Sequence, residues 1–493
     1  MSVDLAVHSD RDRTLELATF FSDLTYDDLP DNVIHAAKAS IFNSVGCGLS
    51  SAKLDASKRI FAALDVNGKE PRNCTILARP EPATMEDAAL LNGVSMTARW
   101  FDDMYMETLV HPAGPPLAAV LAYAEANKMS GNEVILAFVV GAETLLAVSH
   151  AVGLGPYKKG WHLTSVAGTF GATAGVAKLM NLVPEKFSMA LGHASSMASG
   201  SRNVFGTDTL ILHAGRAAQN GILAACLARE GLGSTTQALE RYVALVSIGD
   251  SDPSEISKLC DVQSNEGRPW LLPLNAFKAY PSGIVVHSLI DAGVNAHEFF
   301  FKDSNTRIVG KGGQDVLELF PKIVARVTTL TSRLCGIQQP KDDMQVLFSI
   351  YHGLAVGLIF GKGGIREFSA QVAKEPMLAK LRDRITLDLD DTLQDGQTVV
   401  TVTYVSDGVD KSAEFRVDHP SGSRGNPLTV EQLNTKFLDQ AAEGSVTGTH
   451  AQIAVDEWWN LEKIKDITTL MKLLVSEGPP FHSSLPPSIS HLD

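Results

Sequence analysis

The chain has little of what would tie it to several broad classes of protein. It holds five cysteines in 493 residues. Cys47, Cys74, Cys226, Cys260 and Cys335 lie far apart, which excludes both a disulfide framework and the short ligand spacing of a zinc site and favours a reduced, cytoplasmic setting. Basic residues are outnumbered, giving a net charge of −14. That balance argues against an extended nucleic-acid footprint and against docking on an anionic membrane. The N-terminus, MSVDLAVHSDRDRTLELATFF, has no basic segment followed by an unbroken apolar one, so it does not read as a secretory signal. No apolar run reaches about 18 residues without a polar break, so no segment is expected to span a bilayer. HExxH, CxxC, GxxxxGK[ST] and GxSxG are all missing. With no motif for a metal or an organic cofactor, the simplest chemistry left is proton transfer by side chains, with histidine as the carrier near neutral pH.

What is present divides by texture. The first 300 or so residues read as successive helices. Thr25-x-x-Asp28, Thr84-x-x-Asp87 and Ser130-x-x-Glu133 pair a capping hydroxyl with an acid placed for the positive end of a helix. The runs EDAALLNGVSMTA, NEVILAFVVGAETLLAVSHAVG and SVAGTFGATAGVAKLM are rich in Ala and Gly and apolar on nearly every face, which predicts buried helices packed backbone to backbone. Past residue 273, VARVTTLTS, RITLDLDD and QTVVTVTYVSDG alternate as half-buried strands do, and Asp407-Gly408 reads as a hairpin turn. Helices are expected at 284–301, in VLFSIYHGLAVGLIFG and in PMLAKLRD. The fold class is therefore mainly α with an α+β part. Residues 1–273 and 431–493 form the helical domain and 274–430 a smaller α+β lid. The Pro/Ser-rich tail from Gly478 reads as loose.

Four segments offer candidate chemistry. Asp102 and Asp103 precede His111 across a short turn. They could be an acid–base cluster, or a capping pair beside a loop histidine. His162 stands just before a small-residue helix whose free amides would favour an anion, and Trp161-His162 could equally be a packing plug. His213 opens another helix, where a lone histidine among apolar residues is commonly a satisfied core group. Lys278 sits where the texture changes, placed either to clamp a carboxylate or to lie solvated.

In this order the segments FDD with HPAGPPLAAVLA, GWHLTSVAGTFGATAGVAKLMNL, LHAGRAAQNGILAA, FKAYPSGIVVHSLIDA and PSGSRGNPLTVEQLNTKF resemble the MmgE/PrpD family, which includes 2-methylcitrate dehydratases and cis-aconitate decarboxylases. The likeness runs from about Leu15 to Leu474. It implies a helical domain built from both chain ends, an α+β lid, a homodimer, a cofactor-free and metal-free reaction, and a site between the domains. His111, His162 and Lys278 match the catalytic positions, Asp102, Asp103, His213 and Tyr280 are expected to line the substrate, and Arg202 is offered from its nearness in the sequence as a substitute for a lost charged clamp. The chain departs from the family at Trp100, where an acid is usual, at Met104, where Thr is usual, and at Leu210, where decarboxylases carry lysine. Each charge-assisted hydrogen bond so removed contributes about 1.5–3 kcal/mol. The expectation is therefore a hydro-lyase for 2-methylcitrate or a longer alkylcitrate, whose apolar arm would lie against Trp100, Met104, Met106 and Leu210. The alternatives are a carboxy-lyase acting on cis-aconitate or a related acid, an epimerase, and an inactive dimeric scaffold.

Overall fold

Thr84 and Ser130 begin helices as their sequence patterns require. Thr84 accepts from the Asp87 amide at the head of Met85–Thr97. Ser130 and Glu133 close a reciprocal capping box on Gly131–Val152. Thr25 and Asp28 also close a box, but on a single 3₁₀ turn, because Pro30 follows and the long helix starts only at Asp31. These elements belong to a computed structural model that describes residues 12–64, 68–246, 251–258, 270–302, 316–394, 396–406, 408–446 and 448–476. Cys260, Asp407 and the tail from Gly478 lie outside the described residues.

The Ala/Gly-rich helices pack as expected. A Cβ on Gly141 would stand 2.8 Å from the Gly171 carbonyl oxygen, and one on Gly171 only 2.6 Å from that of Gly141. The Gly131–Val152 and Leu163–Leu179 helices therefore touch through their backbones. Gly131–Val152 is by itself long and apolar enough to cross a membrane, contrary to the expectation that no segment is. Within the protein, however, 89% of its apolar window is buried. It is a buried helix of the first core.

Buried side chains form two large clusters. One draws on Leu17 to Leu272 and again on Leu433 to Leu474. The other draws on Val286 to Val417. A third, small cluster of Cys47, Phe101 and Ile365 joins residues from both parts of the chain. The second unit is built on a four-stranded sheet. We label its strands after the short β1 (Asp103–Met104) and β2 (Ala276–Phe277): β3 (Lys322–Val327), β4 (Ile385–Leu389), β5 (Thr398–Ser406) and β6 (Val409–Val417). Their order is β4-β3-β5-β6, with β3 and β4 parallel and the rest antiparallel. Ser406 pairs with Val409, which closes the expected hairpin, and Gly408 takes the left-handed φ of 74° that such a turn needs.

Two expectations are corrected here. VARVTTLTS is a strand only to Val327, because Thr328 caps a helix over Thr329–Cys335 by accepting from the Thr331 amide. VLFSIYHGLAVGLIFG is two helices, since Ser349 caps the second through the His352 amide. In both, a local hydroxyl outbids the longer pattern.

Candidate active site

The site begins at a two-residue ribbon. β1 pairs antiparallel with β2, setting Asp103 opposite Phe277 and Met104 opposite Ala276. The Lys278 amide donates to the Asp102 carbonyl at 3.2 Å, so segments 176 positions apart run side by side. Just before β1, Trp100 takes a left-handed φ of 50°, rare for a bulky residue, and turns the chain inward. After β1, Tyr105 and Val110 exchange backbone hydrogen bonds, and the chain folds back so that His111 returns over the acidic pair.

Asp102 is the electrostatic centre. Its Oδ1 accepts from Lys278 Nζ at 3.1 Å and its Oδ2 lies 3.1 Å from His111 Nδ1. The same His111 Nδ1–H donates to the Asp103 carbonyl at 2.6 Å, leaving Nε2 as the unengaged ring nitrogen. Asp103 does a different job. Its Oδ2 accepts from the Ala113 amide at 3.1 Å and from Asn275 at 2.6 Å, pinning the helix start after His111 to the β2 segment. Both carboxylates are turned inward, with Asp102 4% and Asp103 0% exposed. Lys278 is also buried. His111 keeps 19% of its side chain open.

The ionisation of these groups follows from their neighbours. Burial alone would raise the Asp102 pKa, but His111 and Lys278 hold it well below the usual carboxylate range. Asp103, buried beside the charge of Asp102, is pushed upward. Burial would depress His111, yet the Asp102 carboxylate reverses this and raises it. Asp102, Asp103 and His111 bring potential ligand atoms within 4.8 Å of one another. An ammonium already neutralises Asp102 there and Nδ1 is a donor, so the group reads as an ion-paired triad rather than a cation site.

His162 stands immediately before the Leu163–Leu179 helix, held by its amide to the Gly200 carbonyl at 2.9 Å. Thr164, two residues on, accepts the His111 amide at 3.2 Å, so the two histidine segments are tied together. The His162 Nδ1 and His213 Nδ1 atoms lie 2.8 Å apart. Burial and then the charges of His213, His111 and Arg202 push His162 down to about 3. Burial also lowers His213.

The remaining expected residues fall at the edges. Arg202 stacks 3.7 Å over the Tyr157 ring and donates to the Tyr157 carbonyl at 2.7 Å, behind His162. Tyr280 donates its hydroxyl to Asp291 at 2.5 Å, and Asp291 in turn accepts from the Ser421 amide at 2.6 Å. Trp100 meets Phe348 of the second unit edge to face at 5.8 Å. Met104 and Leu210 are half-buried, and Met106 is 45% exposed.

Sequence reasoning missed a layer beneath this ribbon. Lys436 Nζ donates to the carbonyls of Phe101 (2.7 Å) and Lys278 (2.8 Å) and to Asn43 Oδ1 (2.7 Å). Cys47 donates its thiol to the same Phe101 carbonyl at 3.0 Å. A lysine inside an amphipathic helix carries no local sign of burial. The one available hint was its place in the PSGSRGNPLTVEQLNTKF segment. Gly422 of that segment, at φ 84°, sits so close to β2 that a Cβ would stand 1.9 Å from the Phe277 carbonyl.

Residues 15–249 match the MmgE/PrpD N-terminal domain and residues 280–461 the MmgE/PrpD C-terminal domain. The chain belongs to the MmgE/PrpD family. Among relatives, human cis-aconitate decarboxylase is 26% identical over 97% of this chain and 98% of its own length. Cis-aconitate decarboxylase of Aspergillus terreus is 25% identical over 94% of this chain and 95% of its own. A cis-aconitate decarboxylase-like protein of Aspergillus oryzae, oryM, is 31% identical over 44% of this chain and 47% of its own length. The MmgE/PrpD C-terminal match takes in the Val430–Glu443 helix, yet Leu433, Phe437 and Ala441 of that helix pack in the first core.

Proposed function

We propose that this MmgE/PrpD protein is a carboxy-lyase that removes CO2 from cis-aconitate or a closely related unsaturated tricarboxylic acid. The observation that carries this reading is the opposite bias of the two histidines. His111 is held toward its cationic form by Asp102, while His162 is held neutral. In decarboxylation the C–C bond to one carboxylate breaks and CO2 leaves. The electron pair spreads into the neighbouring double bond and carboxylate, and one proton then forms the new C–H bond. Such a reaction needs a proton donor and positive charge more than it needs a base. The His111 imidazolium supplies both from Nε2. Asp102 keeps that imidazolium charged and oriented, and Lys278 holds Asp102 in place from its other oxygen. His162, tied through Nδ1 to His213, offers Nε2 as a hydrogen-bonding group for a carboxylate.

Dehydration of 2-methylcitrate or an alkylcitrate, the reading favoured from the sequence alone, requires abstraction of a proton alpha to a carboxylate. A histidine with a pKa of about 3 is a weak base for that step, since proton transfer is best served by a pKa near the working pH. The names of the relatives support the same preference. The apolar residues at Trp100, Met104 and Leu210 favour a substrate with some apolar substitution over one more charge.

The test is direct. Purified protein is incubated separately with cis-aconitate, alkyl-substituted aconitates, 2-methylcitrate and longer alkylcitrates. CO2 release and product mass are followed together. Loss of CO2 from an aconitate is the expected result. Loss of water from a citrate with no CO2 would overturn the proposal.

A further inference from the structure

Lys436 has no place in the chemistry above, yet its ammonium is among the most fully engaged groups in the protein. We infer that it is a positioning residue for this site, clamping from behind the two backbone segments that carry Asp102 and Lys278. This inference rests on the proposed function for its meaning but on geometry for its content.

An ammonium has three N–H donors. In Lys436 all three find acceptors, at 2.7, 2.7 and 2.8 Å. Two of those acceptors are the carbonyl that precedes Asp102 and the carbonyl of Lys278 itself. The third, Asn43 Oδ1, roots the clamp in the Asp31–Ser51 helix. The nitrogen also lies 3.8 Å from the centre of the Phe101 ring. The residue is 8% exposed. A single buried cation thus joins four stretches of chain, around positions 43, 101, 278 and 436, and two of them meet directly above it in the Asp102–Lys278 ion pair. A lysine needed only for packing would not require both flanking carbonyls.

The ionisable groups facing it are Cys47 from the Asp31–Ser51 helix, Asp102 and Asp103 from the β1 segment, and Lys278 from the β2 segment. Burial outweighs them and brings Lys436 down from 10.5 to about 8. A neutral amine keeps only two donors, so one acceptor is released on deprotonation. Because the folded state loses this proton at a lower pH than the unfolded chain, that titration raises stability between pH 8 and 10.5 while it loosens the clamp. Activity and stability should therefore move in opposite directions across this window, which a purely structural lysine would not produce.

The experiment compares Lys436→Met, Lys436→Arg and Asn43→Ala with the parent full-length protein. The readouts are kcat, KM and their pH profiles, thermal midpoints, and the His111 titration followed by NMR without substrate. For folded Lys436→Met, kcat should fall about 10²-fold, the loss expected for a misplacement near 1 Å. KM should change by less than about 3-fold. The alkaline limb near pH 8 should disappear, and the His111 titration should move downward as Asp102 drifts from it. Lys436→Arg should recover part of the rate. If Lys436→Met does not fold, Asn43→Ala, which leaves the ammonium in place, should show the same changes at smaller size. An unchanged His111 titration with unchanged kcat, or a rate loss explained entirely by unfolding, would overturn the inference. A shifted His111 titration in a protein that turns over no polycarboxylate would leave the clamp standing and remove the proposed function instead.

Discussion

His111 and His162 are the same side chain in opposite surroundings. His111 lies against a buried carboxylate that is itself held by an ammonium, and its pKa rises despite burial. His162 lies against another imidazole, near His111 and Arg202, and its pKa falls to about 3. Burial pushes both in one direction, so it is the neighbour that separates them. In the proposed reaction the first would be the proton source and the second a neutral hydrogen-bonding group. The contrast shows how neighbours can drive a single residue type to opposite ionisation states.

The contrast can be broken most severely at Asp102. Asp102→Asn should lower kcat about 10³-fold, within the usual range for loss of an acid–base function. It should also bring the His111 titration below its parent value, read by NMR. An unchanged His111 titration would show that Asp102 does not set it. Next in size, His162→Gln should cost about 10²-fold in kcat/KM, since a neutral group is exchanged for a neutral group of different geometry. Steady-state kinetics on the substrate that the incubation test identifies measure it, and parent-like values would remove His162 from the site.

The pH dependence sharpens the same comparison. The raised His111 pKa means that its favourable pairing is fully present below the ordinary histidine value near 6.5 and is lost as pH rises through the folded value. The rate should fall about tenfold per pH unit beyond that point, before the Lys436 limb is superimposed. His162 should add no limb between about pH 5 and 8 because it is already neutral there. Asp102 works with the opposite sign. Its depressed pKa stabilises the fold fully above the ordinary carboxylate value near 4, and that contribution is lost progressively as pH falls from there through the lower folded value. Denaturant midpoints against pH should show that acid loss in the parent and a smaller one in Asp102→Asn. The smallest effect on catalysis is expected at Gly141→Ala. The added methyl would press on the Gly171 carbonyl and destabilise the protein by about 1–3 kcal/mol, leaving the rate per folded molecule and its pH profile unchanged.

Much of the scaffold could be read from residues in a row. Thr84 and Ser130 each cap a helix where their patterns predict, because a cap is made within four residues. The β5–β6 hairpin is legible for the same reason. The failures at Thr328 and Ser349 are also local, since each hydroxyl could be seen but not its preference for the backbone over the longer apolar pattern. The site was legible as a set of candidates, not as a network. His111, His162 and Lys278 stood out by residue type, but Asp102 as the bond between two of them, His213 as the partner of His162 and Lys436 beneath the ribbon depend on contacts across 51 to 335 positions.

Sequence by itself determined the helical and strand periods, the caps and the close-packed glycine faces, all of which follow from forces acting within a few residues. It also carried enough pattern to assign the family. Which carboxylate meets which histidine, and therefore which imidazole is charged, was decided only by the tertiary structure. Electrostatic interaction depends on distance and on exclusion of water, and neither quantity exists until the β1–β2 ribbon and the Val430–Glu443 helix have come together.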